Sequence, residues 1–436
     1  MTRTLDVVIE RWAAGGSGVA RVDGGAMLVP GACAGERVRV AIDPLPARGA
    51  KQKTRRSRLL TVLEPSPDRV EPPCAYVGAC GGCDFMHVAA TRQLEILAPI
   101  VHGMLVHATG VPVPEPSLAR ASKPLGYRTR ARLAFDARGR SVAIGYRRGG
   151  SHELTAIDRC LVLDERLAVA IDEARSILEG SRARGELSIA LGEGGRPVLE
   201  MRPESDLAAA AFTRIDAACA ARRLAGARVW PAGSSAPIAF GDPRVVHAGP
   251  DGAPVRLPPG SFAQPSDDGA ALLATRLRAA VESLVPTDAR ARASLVELFS
   301  GSGGLTLTLA AMGFASSTSV EIDAAACAEA KENLALRGLR ASVVRADADA
   351  HSLAGADLVV LDPPRTGARG AVSAIVAARP RWVAYVSCDP PTLARDVAVL
   401  TAAGYAIGAL EVVELFPQTS HVETIVTLER VRRRPA

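Results

Sequence analysis

In the stretch 385–396, YVSCDPPTLARD, Cys388 follows a run of apolar residues and stands just before an Asp-Pro-Pro. A cysteine in that setting has two uses. Buried at a strand end it is a small hydrophobe; ionised and reachable it is a nucleophile. A second set of thiols lies earlier. Cys74, Cys80 and Cys83 share the ten residues CAYVGACGGC, and Cys160 ends IDRC. Four thiolates hold either zinc or a [4Fe–4S] cluster, and spacing alone does not choose between them. The bland alternative is a group of unconnected core thiols.

Further on, four strand ends carry polar residues in a consistent arrangement. SLVELFSGSGGLTLTLA reads as an apolar strand, a turn at Gly301, Gly303 and Gly304, then a helix. Glycines there let the backbone approach a ligand at the helix N-terminus. The next strand ends in SVEID, with Glu321 twenty residues after Gly301, where an acid holds ribose hydroxyls. A third ends in VVRADAD and places Asp347 near an adenine edge, and a fourth, ADLVVLDPPRTG, ends at Asp362 before two prolines. Thr306 stands where the dinucleotide fingerprint has its third glycine. That departure and the Asp-Pro-Pro favour S-adenosylmethionine over NAD, the prolines being suited to pressing a planar base against a methyl donor. An ordinary turn in a doubly wound domain is the competing reading.

The frame that must hold these residues divides in three. At 436 residues the chain is too long for one domain, and its 48% apolar content supports real cores. Residues 1–62 give short alternating segments between Gly-rich turns, the pattern of a small all-β, OB-like unit of the kind that binds oligonucleotides. After a proline-marked linker, residues 63–255 mix strands and helices. LDERLAVAIDEARSIL has helical spacing, and LSIALGEGGRPVLEMR reads as a hairpin closed at Gly194-Gly195. Residues 256–436 open with a helix after Ser266 and then alternate strand and helix, which specifies an α/β, Rossmann-like domain.

The net charge of +6 is modest, but cations cluster. Residues 46–58 hold Lys and Arg without an acid, and 120–148 hold nine cations against Asp136, with Tyr127, Phe135 and Tyr146 among them. Such runs suit phosphates and stacked bases, or else are solvated loops. The N-terminus has no apolar leader segment and no stretch is long enough to span a membrane, so a cytoplasmic protein is expected, one in which cysteines serve as ligands, catalysts or core residues.

Taken together, LDPPRTG, VSCDPPTLARD and LFPQTSHVETIVTLER resemble the S-adenosylmethionine-dependent RNA uridine C5-methyltransferase family. The resemblance covers nearly the whole chain and is densest over 296–430. It implies a class I methyltransferase domain at 256–436, a TRAM RNA-binding domain at 1–62, and a [4Fe–4S] cluster on Cys74, Cys80, Cys83 and Cys160. It implies Cys388 as the nucleophile that attacks uracil C6, Glu423 of the His-Val-Glu motif as the base, and cofactor contacts from Gln264, Phe299, Glu321, Asp347 and Asp362. It further implies an RNA substrate, with ribosomal RNA favoured over the tRNA T-loop, and a monomer with no membrane partner. Two departures stand out: relatives often carry Asn at the positions of Gly304 and Ser266. Three rivals are an amino-group methyltransferase, a non-catalytic RNA-binding scaffold and a redox cluster protein. The first has no use for Cys388, the second none for Cys388 and Glu423 together, and the third lacks a second carrier site.

Overall fold

A computed structural model describes residues 3–42 and 55–431. Most of the basic run 46–58, including Lys51 and Lys53, falls outside the described residues.

The N-terminal sheet has six strands in the order Arg3–Val8, Arg37–Ile42, Arg55–Glu64, Gly25–Val29, Gly18–Val22, Arg11–Trp12. The long strand Arg55–Glu64 bridges its two halves, pairing antiparallel on one side and parallel on the other. Alternation along these strands sends Val38, Val40, Met27 and Val29 into one small core.

The middle of the chain forms a seven-stranded sheet from Leu154–Ala156 to Ile238–Gly241. Helices Arg166–Leu178 and Ala209–Ala220 cover it, burying Leu167, Ile171, Ile177 and Ile215 against Leu133, Leu187 and Leu199. The expected hairpin is present: Arg184–Leu191 pairs antiparallel with Pro197–Pro203, and Gly194 and Gly195 take φ of 66° and 70° at its turn.

The C-terminal sheet has eight strands in the order Ser342–Arg345, Ser316–Glu321, Ser294–Leu298, Leu358–Leu361, Trp382–Ser387, Glu423–Arg430, Tyr405–Val413, Ser117–Ala119. The first five run parallel. Glu423–Arg430 is inserted antiparallel between its neighbours. Leu358–Leu361 and Trp382–Ser387 are buried at every position, as strands covered on both faces must be. Helix Asp267–Leu284 covers one face through Leu273, Leu277 and Val281. Its first turn is capped by Ser266, whose hydroxyl accepts from the Gly269 amide at 2.9 Å. The other face packs on helix Pro390–Ala402 and on helix Ala90–Thr109, whose Leu94, Leu97, Val101 and Leu105 join the same core. Two elements from the 63–255 stretch thus belong to this layer, the helix Ala90–Thr109 and the edge strand Ser117–Ala119.

The basic stretch 120–148 differs from its reading as an aromatic-studded RNA surface. Tyr127 is 7% and Phe135 2% exposed, so neither ring offers a stacking face: alternation along Arg130–Asp136 turns Phe135 inward, and Tyr127, ahead of that strand, packs with Met86 and Val162. Arg120 pairs with Glu95 at 2.8 Å and Arg138 with Asp136 at 2.5 Å. Arg130 donates to the carbonyls of Ala263 at 2.6 Å and Ser261 at 3.1 Å, bracing a loop of the site described next.

Candidate active site

The parallel strands end at one edge of the sheet, and the polar residues cluster there, in the crevice beyond the carboxyl ends. After Ser294–Leu298 the chain turns sharply. Phe299 has φ +61°, rare for a residue with a Cβ, and Gly301 and Gly303 have φ of 54° and 86°. A Cβ on Gly303 would also lie 3.3 Å from that of Ala330. Glu321 supports this turn from the adjacent strand: its carboxylate accepts from the Gly301 amide at 2.9 Å and the Asp323 amide at 2.8 Å. Asp347 is exposed at the end of the third strand and accepts from the Asp349 amide at 3.0 Å. At Gly304 a Cβ would meet nothing within 4 Å, so the space a longer side chain would use is open. At the other departure, Ser266 is committed to the helix cap.

Gln264 lies in the loop before helix Asp267–Leu284, next to Ala263, which joins a small core with Leu307 of the helix that follows the Gly-rich turn. Its Oε1 is buried without a hydrogen-bond partner, as are Oε2 of Glu297 and Oγ of Ser300. Buried polar atoms are normally paired, so these are available to a polar ligand. Glu297 was not singled out from the sequence. It is 3% exposed, and burial pushes its carboxyl up to about 8, with Asp362 adding to the rise. The available signal was an acid inside an apolar strand, two residues before the turn. Asn333 was also missed. It is 2% exposed and donates to the Ser302 carbonyl at 3.0 Å, tying the turn to helix Ala324–Ala335. Phe262, two residues before Gln264, is 73% exposed with the Arg130 guanidinium 5.7 Å from its ring centre.

The second half of the edge brings together Asp362, Cys388 and Glu423. Strands Leu358–Leu361 and Trp382–Ser387 are neighbours in register, so Asp362 and Cys388 emerge from adjacent strand ends. The antiparallel pairing Ser387↔Thr424 makes Cys388 and Glu423 the next residues outward on their two strands. Thr424 locks that register by donating its hydroxyl to the Ser387 carbonyl at 2.9 Å. Burial pushes the Cys388 thiol up to about 11; Glu423 and Asp362 add to the rise and Arg365 opposes it. Glu423, 3% exposed, is held well above the usual carboxylate range by burial and by Asp362, and its Oε2 has no hydrogen-bond partner. Burial likewise lifts Asp362 to about 7. Helix Pro390–Ala402 begins two residues after Cys388, capped by Asp389, and its N-terminus favours negative charge on the thiol.

Away from this edge, Cys74, Cys80, Cys83 and Cys160 line one cavity together with Tyr146, Met86, Val162, Arg128 and Arg159. Burial pushes Cys83 up to about 12, and the Cys160, Cys80 and Cys74 thiols contribute to the rise. Among the described residues, no group of three or more His, Cys, Asp or Glu side chains has the arrangement that holds a single metal ion.

A Rossmann-like sheet with one antiparallel strand next to its last parallel one, and a Gly-rich turn at the end of Ser294–Leu298, is an architecture that suits an S-adenosylmethionine-dependent methyltransferase. Residues 255–431 match the family model described as tRNA (Uracil-5-)-methyltransferase. The chain is 31% identical over 97% of its length to the 23S rRNA (uracil(1939)-C(5))-methyltransferase RlmD of Pseudomonas entomophila, and covers 93% of that protein. It is 33% identical over 95% of its length to the protein of the same name from Alkalilimnicola ehrlichii, covering 94% of it. The crystal structure of Pyrococcus abyssi tRNA (uracil-54, C5)-methyltransferase in complex with S-adenosyl-L-homocysteine shares the fold, with a TM-score of 0.75 and 23% identity over 97% of this chain and 99% of that one. The chain belongs to the S-adenosylmethionine-dependent RNA uracil-C5 methyltransferase family.

Proposed function

We propose that this enzyme methylates C5 of a uridine in 23S ribosomal RNA through a covalent adduct between Cys388 and uracil C6, as a monomer in the cytoplasm. The observation that carries the mechanism is the pairing of Cys388 with Glu423 across the register Ser387↔Thr424. Uracil C5 is too weak a nucleophile to take a methyl group from a sulfonium unaided. Attack of the Cys388 thiolate on C6 forms a C6–S bond and pushes the electron pair toward C5 and O4. C5 then bonds to the methyl carbon as the methyl–sulfonium bond breaks, which leaves S-adenosylhomocysteine. Glu423 takes the remaining C5 proton, the C5–C6 double bond reforms, and the thiolate departs. The net change is a methyl group gained and a proton lost, with no redox step.

The electrostatics suit that order. Burial, with Glu423 and Asp362 adding to it, pushes the thiol of the cofactor-free protein up and favours its protonated form. A sulfonium set against Asp362 adds positive charge to the pocket and moves all three groups toward ionisation. Gln264, Phe299, the Gly301–Gly304 turn, Glu321, Asp347 and Asp362 would hold the methyl donor, and Glu297 adds a buried carboxylate at the same turn.

Ribosomal RNA is favoured because curated relatives that match 97% and 95% of this chain act on 23S rRNA by name. The second reading, a tRNA uridine, is supported by the names of the family model and of the archaeal enzyme that shares the fold. The N-terminal six-stranded sheet would serve as the TRAM domain that grips the RNA. We place a [4Fe–4S] cluster on Cys74, Cys80, Cys83 and Cys160. These residues fit it: four thiols face one cavity with apolar walls, and Arg128 and Arg159 can offset thiolate charge. When bound, the cluster would supply a cross-link between the 74–83 segment and Cys160. Anaerobically purified protein is expected to be brown and to carry iron; colourless protein with stoichiometric zinc would refute the assignment. The substrate is tested by mapping 5-methyluridine in rRNA and tRNA from cells lacking the gene. Loss of one rRNA site is expected, and loss confined to the T-loop would establish the second reading.

A further inference from the structure

The loop that delivers Glu423 to the site is held from outside the catalytic sheet, by the segment directly after Cys83. Asp84 accepts from the Ser420 amide at 2.8 Å and from the Ser420 hydroxyl at 2.6 Å. The Phe85 amide donates to the Gln418 carbonyl at 3.1 Å. Gln93, 1% exposed at the start of helix Ala90–Thr109, closes the clamp: its Oε1 accepts from the Gln418 amide at 2.8 Å, and its Nε2 donates to Gln418 Oε1 at 3.0 Å. The same Nε2 reaches the carbonyls of Phe85 at 3.2 Å and Val88 at 2.9 Å. Tyr127 donates to the Pro417 carbonyl at 3.0 Å, and its ring packs with Cys83, Cys160 and Met86.

The loop needs this restraint. Gln418 has φ +71°, a conformation that a residue with a side chain keeps only when its surroundings impose it. It is 6% exposed, so its polar groups depend on the clamp. The N-terminal sheet reaches the same point. The Trp12 ring meets Phe85 edge-on at 5.1 Å, and a Cβ on Gly16 would come within 2.8 Å of the Ser420 Cβ. Three parts of the chain therefore meet at Phe85 and Ser420, three residues before Glu423. Cys388 is carried by a different strand, and among the described residues no hydrogen bond joins it to this clamp.

We propose that Asp84, Gln93 and Ser420 are positioning residues for the proton-abstraction step, so that the cysteine-bearing segment sets the place of Glu423 while leaving Cys388 free to attack. The inference rests on Glu423 being the base. Nucleophilic attack and methyl transfer need Cys388 and the methyl donor; only release needs a carboxylate within hydrogen-bond reach of C5, and displacement by about 1 Å is enough to slow such a step.

The test compares Asp84→Ala, Ser420→Ala and Glu423→Gln in the full-length holoprotein, with cofactor and RNA binding measured first. Asp84→Ala is expected to lower steady-state turnover roughly 10- to 100-fold with single-turnover methyl transfer close to wild type. Methylated RNA–protein adduct, stable to denaturing electrophoresis, should accumulate. Asp84→Asn keeps an acceptor for the Ser420 amide and should recover part of the loss. Ser420→Ala removes one hydroxyl at a partly buried position and covers the case in which Asp84→Ala fails to fold; a fall of about 3- to 10-fold with the same adduct is expected. Loss of methyl transfer and release in equal measure, or turnover unchanged in both variants, overturns the proposal. Glu423→Gln separates the two assignments. Adduct in Glu423→Gln but not in Asp84→Ala defeats the positioning role alone, and absence of adduct in Glu423→Gln defeats the base.

Discussion

The two halves of the C-terminal sheet edge solve different problems with the same residue types. On one side, Glu321 and Asp347 sit at strand ends with their carboxylates accepting from nearby backbone amides, and the sharp turn at Gly301 and Gly303 does the close work. On the other, Asp362, Cys388 and Glu423 are crowded into a desolvated pocket where burial raises the proton affinity of all three, Asp362 adds to the rise at Glu423, and both acids add to it at Cys388. The difference lies in topology. The first half is all parallel, so side chains leave through loops into solvent. The second receives the antiparallel strand Glu423–Arg430, which brings a strand start against a strand end and packs two acids and a thiol together. Binding needs backbone shape and satisfied carboxylates; acid–base chemistry needs carboxylates kept from water.

Substitution in the crowded half should produce the largest losses. Cys388→Ala removes the proposed nucleophile, and turnover is expected to fall by at least roughly 10⁴-fold with no covalent RNA–protein species. Glu423→Gln should lower turnover roughly 10²- to 10⁴-fold while the methylated adduct builds up, dependent on both the methyl donor and Cys388. Denaturing electrophoresis with labelled cofactor reads both. Methylation of uridine at C5 by folded Cys388→Ala would break the contrast outright, since the pocket would then have no nucleophile to organise.

The other half should respond in binding rather than chemistry. Glu321→Ala and Asp347→Ala are each expected to raise the KM for S-adenosylmethionine roughly 10-fold, within the range for a hydrogen bond to a charged group. The single-turnover rate at saturating cofactor should change little. A kcat effect larger than the KM effect would mean that the turn they support also aligns the sulfonium. An intermediate case probes the pocket's charge. Alkylation of Cys388 by iodoacetamide should quicken about tenfold per pH unit through neutral pH, since a thiol pushed up to about 11 is protonated there. A pH-independent rate would show the thiolate already present.

Much of this was legible in the sequence, and the reasons are local. The Gly-rich turn, the cap at Ser266 and the hairpin at Gly194-Gly195 are each specified within a few residues. The pairing of Cys388 with Glu423 was open only to a motif reading, because strand order decides which ends meet. The aromatic rings in 120–148 misled because composition counts Tyr127 and Phe135 without saying that both turn inward, Phe135 on a strand and Tyr127 in the segment before it. The clamp on the Glu423 loop was invisible, since Gln93 and Gln418 are 325 residues apart and neither lies in a recognisable motif. Glu297 lies one residue inside its strand, where an acid carries no motif that separates it from an ordinary strand residue.

Glu297 also gives the smallest and most discriminating effect, because it belongs to the cofactor half by position and to the crowded half by electrostatics. Its carboxyl is pushed up to about 8, against 4.5 in water, chiefly by burial. Below about pH 4.5 it is protonated both folded and unfolded and has no linkage effect. Between pH 4.5 and about 8 the folded state binds a proton that the unfolded chain gives up, so the contribution of Glu297 to stability falls as pH rises through that window. Glu297→Gln removes the titration while keeping the shape. The free variant should therefore match wild type near pH 5 and exceed it in Tm by roughly 2–4 °C at pH 8, as scanning fluorimetry would show. Saturating S-adenosylmethionine should cancel the advantage, since the buried Oε2, without a hydrogen-bond partner, then gains a cationic ligand that an amide serves less well. A Tm difference that stays flat with pH would mean that Glu297 is already charged and paired in the free protein. It would then be grouped with Glu321 and Asp347, and the contrast between the two halves would follow the line between strands Ser294–Leu298 and Leu358–Leu361 without exception.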